Sequence, residues 1–204
     1  MPGTLVLPHK TPRDFAFQYV GLLLFMIGDG VEVGYLAPFL VKCGLSEHAV
    51  ALVFTLYGVA AAISAWAAGL LCDALGCRKV VIGGIVLWTV PQILFLALAV
   101  PYHAGWAILL TYSIRGFGYP MLAYGILTLV DKEVRHEQRG LASGIFWFCF
   151  TCGLPTLGTV VASFSQPAFG DYRTFWLALV IVVAGGSLAL VSLRDEKTGV
   201  AEKD

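Results

Sequence analysis

The chain has 204 residues, 58% of them hydrophobic and 13% charged, and its 13 basic residues balance its 13 acidic ones. A soluble domain carries roughly a quarter charged residues, so this composition, with a mean hydropathy of +0.82, belongs to the membrane class. A neutral net charge, with no basic stripe interleaved with aromatics, excludes a nucleic-acid partner.

The first 14 residues read as a tail. Lys10 and Arg13 precede the first apolar run, but no small-residue cleavage site follows, and Asp29 and Glu32 interrupt what a signal peptide keeps purely apolar. The first span is therefore expected to be retained. About 20 apolar residues cross the hydrocarbon core as a helix. Such segments run at 16–40, 49–72, 79–100, 104–130, 140–164 and 173–193, separated by KCGLSEH, DALGCRK, VPYHAG, DKEVRHEQRG and SQPAFGDYR. The expectation is an all-α membrane protein, a six-transmembrane-helix bundle over 15–194, with short tails at 1–14 and 195–204.

Lys and Arg placement sets the orientation. With the N-terminus inside, Lys10, Arg13, Arg78, Lys79, Lys132, Arg135, Arg139, Arg194, Lys197 and Lys203 face the cytoplasm, while Lys42 and Arg173 face out. Both termini are expected to be cytoplasmic. Tyr35, Tyr102, Trp106, Tyr172 and Trp176 lie near span ends, where amphipathic rings favour the headgroup level and also pack against neighbours. On the second span Gly58, Ala62, Ala65 and Gly69 form a strip of small residues that lets another helix approach closely.

Three charges lie deep in the spans: Asp29 and Glu32 on the first, Arg115 on the fourth. A mid-membrane charge costs at least about 2.5–3.5 kcal/mol, so these should face protein or a water-filled cavity. Asp29 is roughly 13 residues from one edge of its span and Arg115 roughly 11 from the other edge of its own, so at about 1.5 Å per residue both fall near the midplane. The two acids are three apart and share a helix face. One carboxylate is then in excess, and burial brings its neutralisation by a proton within reach. The same charges also make a static ion pair between the first and fourth spans, and the two roles are compatible. Tyr112 and Tyr119 flank Arg115 at helical spacing, Tyr57 and Ser64 sit on the second span, and Trp147 and Thr151 on the fifth. Around a cavity, such hydroxyls and rings suit a small hydroxylated or anionic solute. The candidate solute or proton pathway is Asp29, Glu32, Tyr57, Arg115, Tyr119 and Trp147. Gly28 and Gly30 loosen the helix beside Asp29, which suits a cavity-lining irregularity or close packing, and Pro120 and Pro155 are expected to kink the fourth and fifth spans.

An enzyme is not expected. The histidines His9, His48, His103 and His136 are dispersed, without an H-E-x-x-H or Ser-Lys pattern. Cys149 and Cys152 form C-x-x-C inside an apolar run without the His partners of a zinc site, so they read as small buried hydrophobes. No metal or cofactor is implied.

At the end of the second span the sequence runs Gly69-Leu-Leu-Cys-Asp73-Ala-Leu-Gly76-Cys-Arg78-Lys79. This resembles the signature G-x-L-x-D-R-x-G-R-K/R between the second and third helices of the major facilitator superfamily, with Ala74 and Cys77 at two of its basic positions. Gly76 permits a tight turn, and Asp73 is placed to cap a helix end or pair with Arg78. The runs FMIGDGVEVGYL, FTLYGVAAAISAWAAG and IRGFGYP look like the ribitol, arabinitol and 2-oxoglutarate permease branch, from about Phe15 to about Arg194. Gly153-Leu-Pro155 lacks the consecutive Gly-Pro of drug antiporters, which disfavours drug efflux.

The resemblance implies the N-terminal six-helix half of a secondary transporter in the plasma membrane. It further implies proton-coupled uptake of a small polyol, sugar or organic acid, with Gly69–Lys79 latching two halves together on the cytoplasmic side. Its partners would be the bilayer, the solute, protons and a complementary C-terminal half. RDEKTGVAEKD falls where the family's central loop begins. The alternative is a non-transporting membrane protein, or a subunit that needs the complementary half.

Overall fold

The computed structural model describes residues 10–191 and 193. Residues 1–9 of the expected N-terminal tail, the whole C-terminal tail, and with them His9, Arg194, Lys197 and Lys203, lie outside the described residues. The chain forms six helical crossings and, among the described residues, no β-strand.

Four crossings are unbroken runs: Glu47–Leu75, Cys77–Ala99, His136–Phe169 and Asp171–Leu190. The first and fourth are split. The first is α1 (Ala16–Gly30) and α2 (Leu36–Lys42) with a turn between them, and the second is α3 (Glu47–Leu75). The third is α4 (Cys77–Leu94) continued by a π-helical turn at Phe95–Ala99. The fourth is α5 (Gly105–Arg115) and α6 (Gly118–Glu133). The fifth is α7 (Arg139–Thr151), a π-helical turn at Cys152–Leu157 and α8 (Gly158–Phe169), and α9 (Asp171–Leu190) is the sixth. All six lie where hydropathy places them. The continuous helices expected at 16–40 and 104–130 are corrected to broken ones.

The breaks have local causes. Glycines at 28, 30 and 34 surround the first, and Gly116 and Gly118 flank the second. Pro120 does not form the kink itself. It is the third residue of α6, in the first turn, where its missing N–H costs little. Pro155 does disturb its span, lying inside the π-helical turn. Ser46 caps α3 by accepting from the Ala49 amide at 3.2 Å. Gly76, at φ +88°, turns the chain sharply between α3 and α4, a conformation that favours glycine.

Two apolar cores stack along the bundle. One, toward the end carrying Gly69–Lys79, is built around Leu22, Phe25, Trp88, Leu122, Ile126 and Phe146. The other, toward the opposite end, holds Tyr35, Phe39, Phe95, Tyr112 and Phe175. The buried charged residues lie between them. Tyr35 departs from the expected headgroup position: it is buried, with its ring 4.8 Å from that of Phe175. Tyr102 and Trp106 are exposed as headgroup anchors would be.

At the Gly69–Lys79 end, Lys10 bridges to Val134, its amide donating to the Glu133 carbonyl and its Nζ standing 2.5 Å from Glu133 Oε2. At the other end Lys42 pairs with Asp171 at 3.2 Å. The small-residue strip on α3 is not used inside this chain. A Cβ on Gly58 or Gly69 would meet no heavy atom within 4 Å.

Candidate functional site

The site grows out of the two helix breaks. Arg115 is the last residue of α5, where the helix dipole favours a cation. Asp29 is in the last turn of α1, and Glu32 is in the turn that follows. The breaks therefore bring both acids and the base to helix ends in the middle of the bundle. Asp29, Glu32 and Arg115 are 4%, 1% and 1% exposed, so their charges rely on one another rather than on water.

Arg115 has five N–H donors in a fixed fork. Nη2 donates to Asp29 Oδ1 at 2.7 Å. Nη1 donates to Glu32 Oε2 and to Gln92 Oε1, the latter at 2.8 Å. The Gln92 amide turns its other end to Glu32, with Nε2 donating to Oε1 at 2.5 Å. Asp29 Oδ1 also accepts from the Trp88 indole at 2.6 Å. The guanidinium lies 4.2 Å from the Trp88 ring centre and 4.8 Å from that of Tyr112, both within cation–π range.

Trp88 and Gln92 complete the cluster from the third span, and charge-based reading of the sequence passes over them. A signal was present: the two are four apart on one helix face, and Gln92 is a lone amide in the apolar run VLWTVPQIL. Trp88 is held in register by Gly118. A Cβ there would stand 2.5 Å from the Trp88 Cβ, so α4 and α6 approach closely only because the residue is glycine.

Asp29 and Arg115 open on a cleft of about 210 Å³ whose walls include Tyr57, Tyr112, Tyr119 and Leu154. Tyr57 stacks between Tyr112 and Tyr119, with ring centres 5.0 and 6.1 Å away. Of the expected pathway residues, Asp29, Tyr57, Arg115 and Tyr119 thus share one cleft. Glu32 is sealed behind it. Trp147 stands apart, 44% exposed on α7 and packed on Tyr124, Phe146 and Phe150. Ser64 serves the backbone: its hydroxyl donates at 2.7 Å to the carbonyl of Phe117, the residue that precedes α6 at the break in the fourth span.

The Gly69–Lys79 segment lies at one end of the bundle, away from the cleft. Asp73, offered by the sequence as a helix cap or a partner of Arg78, pairs with Lys132 on α6 at 2.9 Å. Lys79 is exposed, and Gly69 and Arg78 are half-buried. This contact ties the last turn of α3 to the end of α6.

Comparison with known proteins adds lineage to this geometry. The profile of the Major Facilitator Superfamily matches residues 19–204. The chain is 42% identical over 193 residues to the alpha-ketoglutarate permease of Bacillus subtilis (strain 168), covering 95% of this chain and 44% of the relative. It is 38% identical over 188 residues to the D-arabinitol transporter of Klebsiella pneumoniae, covering 92% and 44%. It is 36% identical over 190 residues to the ribitol transporter of the same organism, covering 93% and 44%. The chain thus spans less than half the length of these curated relatives.

Proposed function

This chain belongs to the major facilitator superfamily, and from that premise we propose that it forms one wall of a proton-coupled secondary transporter. It corresponds to the N-terminal six-helix half and lies in the plasma membrane with both termini in the cytoplasm. The solute is a small polyol, sugar or organic acid moving inward. The observation that carries this reading is the buried Asp29–Arg115–Glu32 cluster, seated at two helix breaks and opening on a tyrosine-lined cleft. Broken helices around a midplane site are how transporters of this type present charged and backbone groups to a solute.

The chemistry follows from the residues. Tyr57 and Tyr119 offer hydroxyls and ring faces to a hydroxylated solute, and Asp29 and Arg115 offer an acceptor and a donor. A cleft of about 210 Å³ on one wall suits a metabolite smaller than a drug-sized ligand, whose sites run to about 300–1,000 Å³. With two carboxylates against one guanidinium, taking up one proton leaves the cluster neutral. The names of the relatives point to pentitols and to a dicarboxylate, and both fit such a cleft. A second six-helix half supplies the opposite wall.

Uptake of labelled ribitol, arabinitol and 2-oxoglutarate into vesicles tests the proposal, with this chain alone and with a complementary half. The expected result is uptake that a protonophore collapses and that Arg115→Ala and Asp29→Asn abolish. Undiminished uptake by both variants, or none even with the complementary half present, overturns it.

A further inference from the structure

The first and fifth spans touch along part of their length and then part company. Deep in the bundle their backbones meet: a Cβ on Gly153 would stand 2.6 Å from the Met26 Cβ, and one on Gly158 2.6 Å from Gly30. Toward the end that carries Gly69–Lys79 the link is a whole side chain, with the Tyr19 hydroxyl donating to the Ala142 carbonyl at 3.1 Å. The two helices therefore diverge toward that surface, and a cavity of about 640 Å³ opens between them there. It shares no lining residue with the cleft at Asp29 and Arg115.

The lining changes character with depth. Thr11, Arg13 and Gln138 stand at the mouth, in the turns that begin the two spans. Further in, α1 gives Tyr19 and α7 gives Leu141 and Ile145. Beside the cavity the same helices carry the exposed side chains of Phe17, Val20 and Phe148. A polar mouth above an apolar floor, set at a membrane surface, has the build of a phospholipid with its headgroup outward.

The mouth also specifies the headgroup. Neighbouring cations are already paired: Lys10 with Glu133, Lys132 with Asp73 and Arg139 with Asp131. Arg13 is exposed and has no ion pair among the described residues. The adjacent Asp14 gives its Oδ2 to the Thr11 amide and hydroxyl, and Glu137 is exposed, where water screens its charge. Gln138 precedes α7 but makes no side-chain cap, and its buried Oε1 has no hydrogen-bond partner among the described residues. An unpaired guanidinium calls for an anion with acceptor oxygens, and a lone amide oxygen calls for a donor. A phosphate bearing a hydroxylated headgroup supplies both.

We propose that this cavity binds an anionic phospholipid with a hydroxylated headgroup, of the phosphatidylglycerol kind. The phosphate takes Arg13, a headgroup hydroxyl donates to Gln138, and the acyl chains run along Leu141, Ile145 and Phe148. Basic pockets between spans at a membrane surface are where such headgroups are held. The volume lies within the roughly 300–1,000 Å³ of small-molecule sites. None of this rests on transport; it needs only a chain seated in a bilayer.

Native mass spectrometry tests it on the full chain, purified in detergent and offered equal amounts of phosphatidylglycerol and phosphatidylcholine. Phosphatidylglycerol should be retained in preference, because phosphatidylcholine has neither net charge nor a headgroup donor. Arg13→Ala and Gln138→Leu should each weaken retention about fivefold, the worth of one juxtamembrane cation or one hydrogen bond. Ile145→Trp, which fills the cavity, should remove it, and the exposed Arg13→Ala serves if that variant does not fold. Arg135→Ala removes an exposed cation at the same end, outside the cavity lining, and should change nothing. Excess inorganic phosphate should not displace the lipid, because the chains hold it as well. Equal retention of the two lipids, or an equal loss in Arg135→Ala, overturns the proposal. So does displacement by phosphate, or unmoved retention in Arg13→Ala, Gln138→Leu or a folded Ile145→Trp.

Discussion

The hydroxyl of Ser64 on α3 donates at 2.7 Å to the carbonyl of Phe117, the residue that caps the start of α6. One side chain of the second span thereby holds the backbone at the break in the fourth. The carbonyl has two lone pairs, so it takes the Ser64 bond beside the first hydrogen bond of the helix. The bond therefore supports the break that places Arg115 at a helix end. Ser64→Ala should lower stability by about 1 kcal/mol, within the range of interhelical hydrogen bonds in membranes. Denaturant unfolding of the purified chain measures it, and an unchanged midpoint would show that the Ser64 bond adds nothing to the break.

Arg115 carries the charge balance of the whole cluster. Removing it leaves Asp29 and Glu32 buried without a counter-charge, a change that costs about 3–5 kcal/mol in buried pairs. Arg115→Met should unfold the chain or sharply reduce its membrane yield. Combining it with Asp29→Asn and Glu32→Gln should restore much of the loss, because no charge is then stranded. Thermal melting of the single and triple variants separates the two outcomes.

Gly118 sets the distance between α4 and α6. A methyl there falls 2.5 Å from the Trp88 Cβ, too close for either backbone to ignore. Gly118→Ala should cost about 1–3 kcal/mol, the usual penalty for overpacking. It should also move Trp88 off Asp29, seen as a change in indole emission. Gly69→Ala, facing open space, provides the contrast and should leave both stability and emission near the starting values.

Asp14 closes the turn before α1. Its Oδ2 accepts from the Thr11 amide at 2.7 Å and from the Thr11 hydroxyl at 3.0 Å. The backbone hydrogen bond, then the hydroxyl, hold its carboxyl below the usual carboxylate value. The turn is thus fully supported above the ordinary value near about 3.9 and loses support as pH falls through the lower folded value. Hydrogen exchange at the Thr11 amide should accelerate across that acidic window. In Asp14→Asn the exchange should lose this pH dependence.

Much of this protein is legible in its residue order. The apolar runs place all six crossings, because transfer into hydrocarbon depends on local composition over about 20 residues. The depth argument brings Asp29 and Arg115 to a common level, with Glu32 on the same helix face as Asp29, because rise per residue is fixed and uncompensated charges in lipid are expensive. The Gly69–Lys79 segment marks the lineage. The split of the first and fourth crossings is signalled by glycines at 28, 30, 116 and 118, but their spacing alone reads equally well as close packing.

The partners across the bundle were decided by tertiary structure alone. Which face of α4 turns inward depends on how that helix rotates against α6, and the contact of Gly118 with Trp88 sets that rotation. Only then do Trp88 and Gln92 meet Asp29, Glu32 and Arg115. The same rotations leave Trp147 half-exposed, bury Tyr35, and give Asp73 to Lys132. Hydropathy and depth are one-dimensional properties that a sequence carries directly. The identity of a hydrogen-bond partner on another helix is angular, and it arises only when six helices pack together.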